Sequence, residues 1–110
     1  MQTIAEMPEF SRNATRLLRE DEIHTLISYL AEHPSAGVLL TGTGGVRKLR
    51  WAREGKGKSG GVRVIYYFHS ERLPLYLLTV FGKNEKANLT KAEANALSKL
   101  VKLLIHAAGI

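Results

Sequence analysis

Seven of the chain's sixteen lysines and arginines, Arg47, Lys48, Arg50, Arg53, Lys56, Lys58 and Arg63, fall between Gly42 and Arg63 beside a single acid, Glu54. The whole formal net charge of +6 therefore resides in one local patch, and the rest of the chain is neutral. Seven of the ten glycines fall in the same stretch. A cation-dense, glycine-flanked segment running into VIYYF has the electrostatic footprint of a polyanion binder. Several cations around one phosphodiester can also do chemistry. They stabilise the charge that develops in the transition state, and clustered like charges lower the proton affinity of a lysine until it can serve as a base. RNA brings its own nucleophile, the 2′-hydroxyl, so such a cluster needs neither a metal nor a protein nucleophile. A phosphate-binding surface without chemistry is the alternative that the same residues allow.

Other chemistries find little support in the sequence. Ala52, Gly57, Lys58 and Ser59 satisfy a relaxed phosphate-loop pattern, but Ser59 is followed by two glycines and a strand-like run, so no helix N-terminus is aimed at a triphosphate. His24, His33, His69 and His106 are scattered without ligand spacing, and the chain has no cysteine, so no metal is expected. The carboxylates form no close pair in a cleft-forming segment, which removes two-carboxylate hydrolysis. Ser59 has no histidine near it in sequence and is a poor nucleophile.

The elements that must carry the cations follow from periodicity. Val46 to Ala52 alternates, with Lys48 and Arg50 on one face and Leu49 and Trp51 on the other, as a half-buried strand does. Arg53 to Gly61 is punctuated by glycines and reads as a loop. Val62 to Phe68 is apolar on both faces except at Arg63, the pattern of a central strand covered on both sides. Leu75 to Phe81 returns as its antiparallel partner, and Gly82 to Leu89 is a second cationic loop holding Lys83 and Lys86. Lys48 and Arg50, Arg63, and Lys83 with Lys86 thus come from three consecutive elements of a meander and are expected at one edge. Tyr66, Tyr67, Phe68, Tyr76, Phe81 and Trp51 read as core.

Around this meander, Thr3 to Met7 is a short strand signal ended by Pro8. Glu9 to about Leu18 is a thin helical stripe. Asp21 has the chemistry of an N-cap for a helix through Ile23, Leu26, Ile27 and Leu30 that Pro34 and Gly37 stop. Val38 to Leu40 is a short strand run. Thr90 and Glu93 make a capping box for a last helix reaching about Ala107, with Leu97, Leu100, Val101, Leu104 and Ala108 on its buried side. The expected class is α+β, one domain over residues 1–110, with a three- to four-stranded antiparallel sheet and helices packed on it. The N-terminus has neither a basic nor an apolar leader region, and no apolar run nears the roughly twenty residues of a membrane span, so a soluble, unprocessed, cytoplasmic chain is expected, with no membrane partner.

The blocks GTGGVRKLRWAREGKGKSGGVRVIYYF and LYLLTVFGKNEKANLTKAE resemble the RelE superfamily of bacterial type II toxins, and most closely its HigB branch. The resemblance runs from about Gly42 to the final helix. It implies a ribosome-dependent mRNA endoribonuclease that needs no cofactor, with translated message and ribosome as targets and a cognate antitoxin, often a helix-turn-helix protein, as partner. Carried over by position, the strand cations of the family fall on Lys48 and Arg50, the strand-opening arginine on Arg63, and the cation after the last strand on Lys83 or Lys86. Lys48 is then the base toward the 2′-hydroxyl, Arg50 and Arg63 hold the scissile phosphate, and Lys83 or Lys86 serves the leaving oxygen. Arg47, Arg53, Lys56, Lys58 and Asn84 are expected to contact RNA. Asn84 stands where RelE-like members place an arginine, and Leu89 and Thr90 stand where they place a stacking tyrosine. The missing arginine at Asn84 favours the rival reading, a non-catalytic nucleic-acid- or ribosome-binding accessory protein on the same fold, and without the tyrosine the family's codon preference and substrate stacking do not carry over.

Overall fold

The computed structural model describes residues 1–52 and 61–109. Two short segments that lack strong strand patterns, β1 (Ile4–Glu6) and β2 (Val38–Leu39), form the edges of the sheet. Between them lie β3 (Val46–Trp51), β4 (Val62–Tyr67) and β5 (Leu75–Gly82), in the order β1-β5-β4-β3-β2. The α+β class is as expected, but the sheet has five strands and is mixed, because β1 pairs parallel to β5 while every other pair is antiparallel. Three residues of strand carry too weak a pattern to declare a partner. Their pairing is fixed by main-chain bonds such as Met7 N to Leu77 O and Leu75 N to Thr3 O.

Helices α1 (Pro8–Leu17) and α2 (Glu20–Glu32) cover one face of the sheet, where Phe10, Leu26 and Leu30 pack with Val62, Val64, Tyr66, Leu75 and Leu77. Helix α3 (Lys91–Ala107) covers part of the other, with Val101 among Val46, Ile65, Tyr67, Leu78 and Phe81. Strand β4 is thus buried on both sides, as its apolar run, broken only at Arg63, requires. Along α3 only Val101 is fully buried; Leu97, Leu100, Leu104 and Ile105 are partly covered, and Ala108 is an exposed cap residue.

The start of α2 differs from its sequence signal. Arg19 is the N-cap, and the nearly buried Glu22 reaches back to accept from Arg19 N at 2.9 Å. Asp21 is held instead by the Arg19 guanidinium, which keeps its carboxyl below the ordinary range. Leu18 and Ile23 flank this cap in the positions of a hydrophobic staple and belong to the same core, which fixes the helix start ahead of Asp21.

Candidate phosphate-handling face

The register of β3 on β4 sets the geometry. Arg50 lies directly opposite Arg63, and Lys48 opposite Ile65, so all three cations share the α3 side of the sheet. Residues directly opposite across antiparallel strands have Cβ atoms about 5 Å apart, and like charges there are destabilising. Among the described residues no carboxylate pairs with Lys48, Arg50 or Arg63. A cross-strand arginine pair with no counter-charge among the described residues calls for an anion.

A bulge brings a third strand into this row. Tyr66 pairs with Leu77 but Ile65 pairs with Thr79, so β5 carries one extra residue and Arg63 lies opposite Phe81. Strict alternation from Leu75 and Leu77 would send Phe81 to the α1–α2 side; the bulge turns it to the α3 side beside Arg63. Lys86 Nζ then stands 4.8 Å from the centre of the Phe81 ring, a cation–π contact.

The loop that delivers Lys86 is pinned at both ends. Glu85 accepts from Gly82 N at 2.7 Å and pairs with Arg16 of α1 at 3.1 Å. The Gly82 N–H first, and then Arg16, hold the Glu85 carboxyl below the usual range. At the far end the expected capping box is present, with Glu93 N donating to Thr90 Oγ1 at 3.1 Å and Thr90 N donating to Glu93 Oε1 at 2.8 Å. The second oxygen of Glu93 accepts from Lys86 Nζ. Between these anchors Asn88 Oδ1 accepts from Lys48 Nζ at 3.0 Å, so the loop reaches across to β3.

The Lys86 ammonium, and after it the Thr90 N–H, keep the Glu93 carboxyl below the ordinary carboxylate range. A carboxylate with a depressed folded pKa contributes stability that is present above its unfolded value, about 4.3, and lost as pH falls through the folded value. Glu93→Gln is therefore expected to lower the urea midpoint at neutral pH, with the gap to the wild type closing in acid. A gap of constant size at all pH would show that charge has no part in it.

The other expected site residues are placed as follows. Arg47 is on the opposite face of β3, paired with Tyr66, and donates to Ser35 O at 3.2 Å and Gly37 O at 2.7 Å. It caps carbonyls just beyond the end of α2, whose last turn has no basic residue of its own. Expected among the RNA contacts, it is committed to the scaffold. Lys83 is exposed and its backbone N bonds Gly61 O at 3.0 Å, extending the β4–β5 ladder. Asn84 is exposed in the adjoining turn. Arg53, Lys56 and Lys58 lie outside the described residues. Sequence reasoning missed Phe81, Asn88 and the second role of Glu93. Only Glu93 had a local signal, as a cap.

Residues 9–109 match the family model described as the RelE toxin of the RelE / RelB toxin-antitoxin system. This small α+β domain with its cationic sheet face is therefore a toxin-antitoxin toxin. The chain belongs to the RelE family, whose members are generally endoribonucleases and imply a cognate antitoxin as partner. No helix among the described residues is long and apolar enough to cross a membrane.

Proposed function

We propose that the chain is an mRNA endoribonuclease of the HigB branch that acts in the cytoplasm on ribosome-bound message and needs no metal. The observation that carries this reading is the cross-strand pair Arg50–Arg63, sharing one face with Lys48 and lacking a counter-charge among the described residues. In the reaction, neutral Lys48 Nζ takes the proton of the RNA 2′-hydroxyl. The 2′-oxygen then attacks phosphorus, a new P–O2′ bond forms, and the P–O5′ bond breaks. Arg50 and Arg63 bind the non-bridging oxygens, where negative charge grows. Lys86, paired with Glu93 and carried over Phe81 beside Arg63, gives a proton to the departing 5′-oxygen. The products are a 2′,3′-cyclic phosphate and a 5′-hydroxyl. Lys83 and Asn84 at the rim, with Arg53, Lys56 and Lys58, would hold ribosomal RNA, and this binding should weaken steeply with salt.

Purified protein added to a translating extract is expected to cut message only on the ribosome and to do so equally in the presence of a chelator. Folded protein that binds ribosomes with a steep salt dependence yet leaves message whole would instead identify a non-catalytic binding module.

A further inference from the structure

The loop between β5 and α3 gives the two lysines of the site chemically different acceptors. Lys48 Nζ donates to the amide oxygen of Asn88 at 3.0 Å, whereas Lys86 Nζ donates to the carboxylate of Glu93. A carboxylate favours the ammonium form of its partner by direct charge attraction; a neutral amide does so far less. A neutral amine has two N–H bonds and one lone pair. An acceptor that engages one N–H confines the lone pair to the two remaining positions on the nitrogen without fixing the charge. We infer that Asn88 is a positioning residue that orients Lys48 Nζ for proton abstraction, and that its being an amide where Lys86 has a carboxylate assigns base to one lysine and acid to the other. The inference rests on the reading of Lys48 as base given above.

The contact spans forty positions in sequence and crosses from the loop to β3, so it is no accident of local geometry. It depends on the loop's two anchors, Glu85 on Gly82 N and Glu93 on Thr90 N, which lie on either side of Asn88. Lys48 itself is half-buried, so its stem is steadied by the sheet while its amino group is steered from the loop.

The test uses wild type, Lys48→Ala, Asn88→Ala and Asn88→Asp in the translating extract. Single-turnover cleavage is followed at saturating and sub-saturating protein, from mildly acidic to alkaline pH. Asn88→Ala is expected to slow the saturating rate about ten- to a hundredfold, the cost of a misplaced reacting group. Its half-saturating concentration should stay within about twofold of wild type, because the ground-state binding of RNA does not run through Asn88. Asn88→Asp puts a carboxylate on Lys48 and should move the acid limb of the pH–rate profile to higher pH, a change that a merely structural asparagine would not produce. The positioning role is overturned if wild type cleaves while Asn88→Ala matches it, if the loss in Asn88→Ala lies in binding alone, or if the acid limb of Asn88→Asp does not move. Wild type that does not cleave, or Lys48→Ala that cleaves as wild type does, overturns the reading of the site itself and leaves Asn88 nothing to position.

Discussion

Arg63→Met is expected to reduce message cleavage by about 10²- to 10³-fold, the usual cost of removing one preorganised donor from a developing anion, while the protein becomes no less stable. The two halves of this expectation have one cause. Arg63 stands opposite Arg50 on adjacent strands, and among the described residues no carboxylate offsets either. Met keeps an unbranched stem over the half-buried position and removes the repulsion, so stability should stay level or rise by up to about 1 kcal/mol. Because the repulsion is screened by salt, any gain should shrink as ionic strength rises. Chemical denaturation at low and high salt, alongside the cleavage assay, separates the two effects. Full activity in Arg63→Met would remove the arginine pair from the reaction.

The second large effect is structural and reaches the site through the scaffold. A Cβ at Gly37 would lie 2.8 Å from Tyr66 Cε1 and 2.9 Å from Lys48 O, neither of which is a flexible side-chain end. Gly37 also closes a small network, donating its N–H to Tyr66 Oη at 2.8 Å and accepting from Arg47 at 2.7 Å, while Tyr66 Oη donates to Pro34 O at 2.9 Å. Burial pushes the Tyr66 hydroxyl up, opposed by the Gly37 N–H and the Arg47 charge. Gly37→Ala must either move β3 or expel the Tyr66 ring, and overpacking with a lost buried hydrogen bond together cost about 2–5 kcal/mol. Gly44→Ala is the control. Its φ of 77° is costly for alanine but a Cβ there meets nothing, so about 1–2 kcal/mol is expected. Urea midpoints of the two variants decide the matter, and equal losses would show that the crowding at Gly37 is relieved without consequence.

How much of this was legible in the sequence depends on the range of the interaction. The alternation KLRW put Lys48 and Arg50 on one side of β3, and the otherwise apolar run around Arg63 marked a strand buried on both faces. The Thr90–Glu93 cap was readable because both partners lie within one turn. Tertiary contacts were not readable. The bulge in β5 that turns Phe81 toward Arg63 leaves no mark on an apolar run, and the parallel pairing of β1 is set by a strand some seventy residues away. Arg47 looked like one more cation of the patch, yet strand alternation already put it on the face opposite Lys48, where the carbonyls beyond α2 claim it. At Asp21 the local capping signal is overridden because the helix starts two residues earlier, where Glu22 reaches back to the Arg19 N–H.

The most direct measurement replaces the ribose at the scissile position of a message with 2′-deoxyribose and follows its fate on ribosomes in the presence of the protein. The substituted message should be bound as before and remain intact, while its all-ribose twin is cut to a 2′,3′-cyclic phosphate and a 5′-hydroxyl. Cleavage of the deoxy message at the same bond would mean that the nucleophile comes from elsewhere, and that Lys48, Arg50, Arg63 and Lys86 do not act as described.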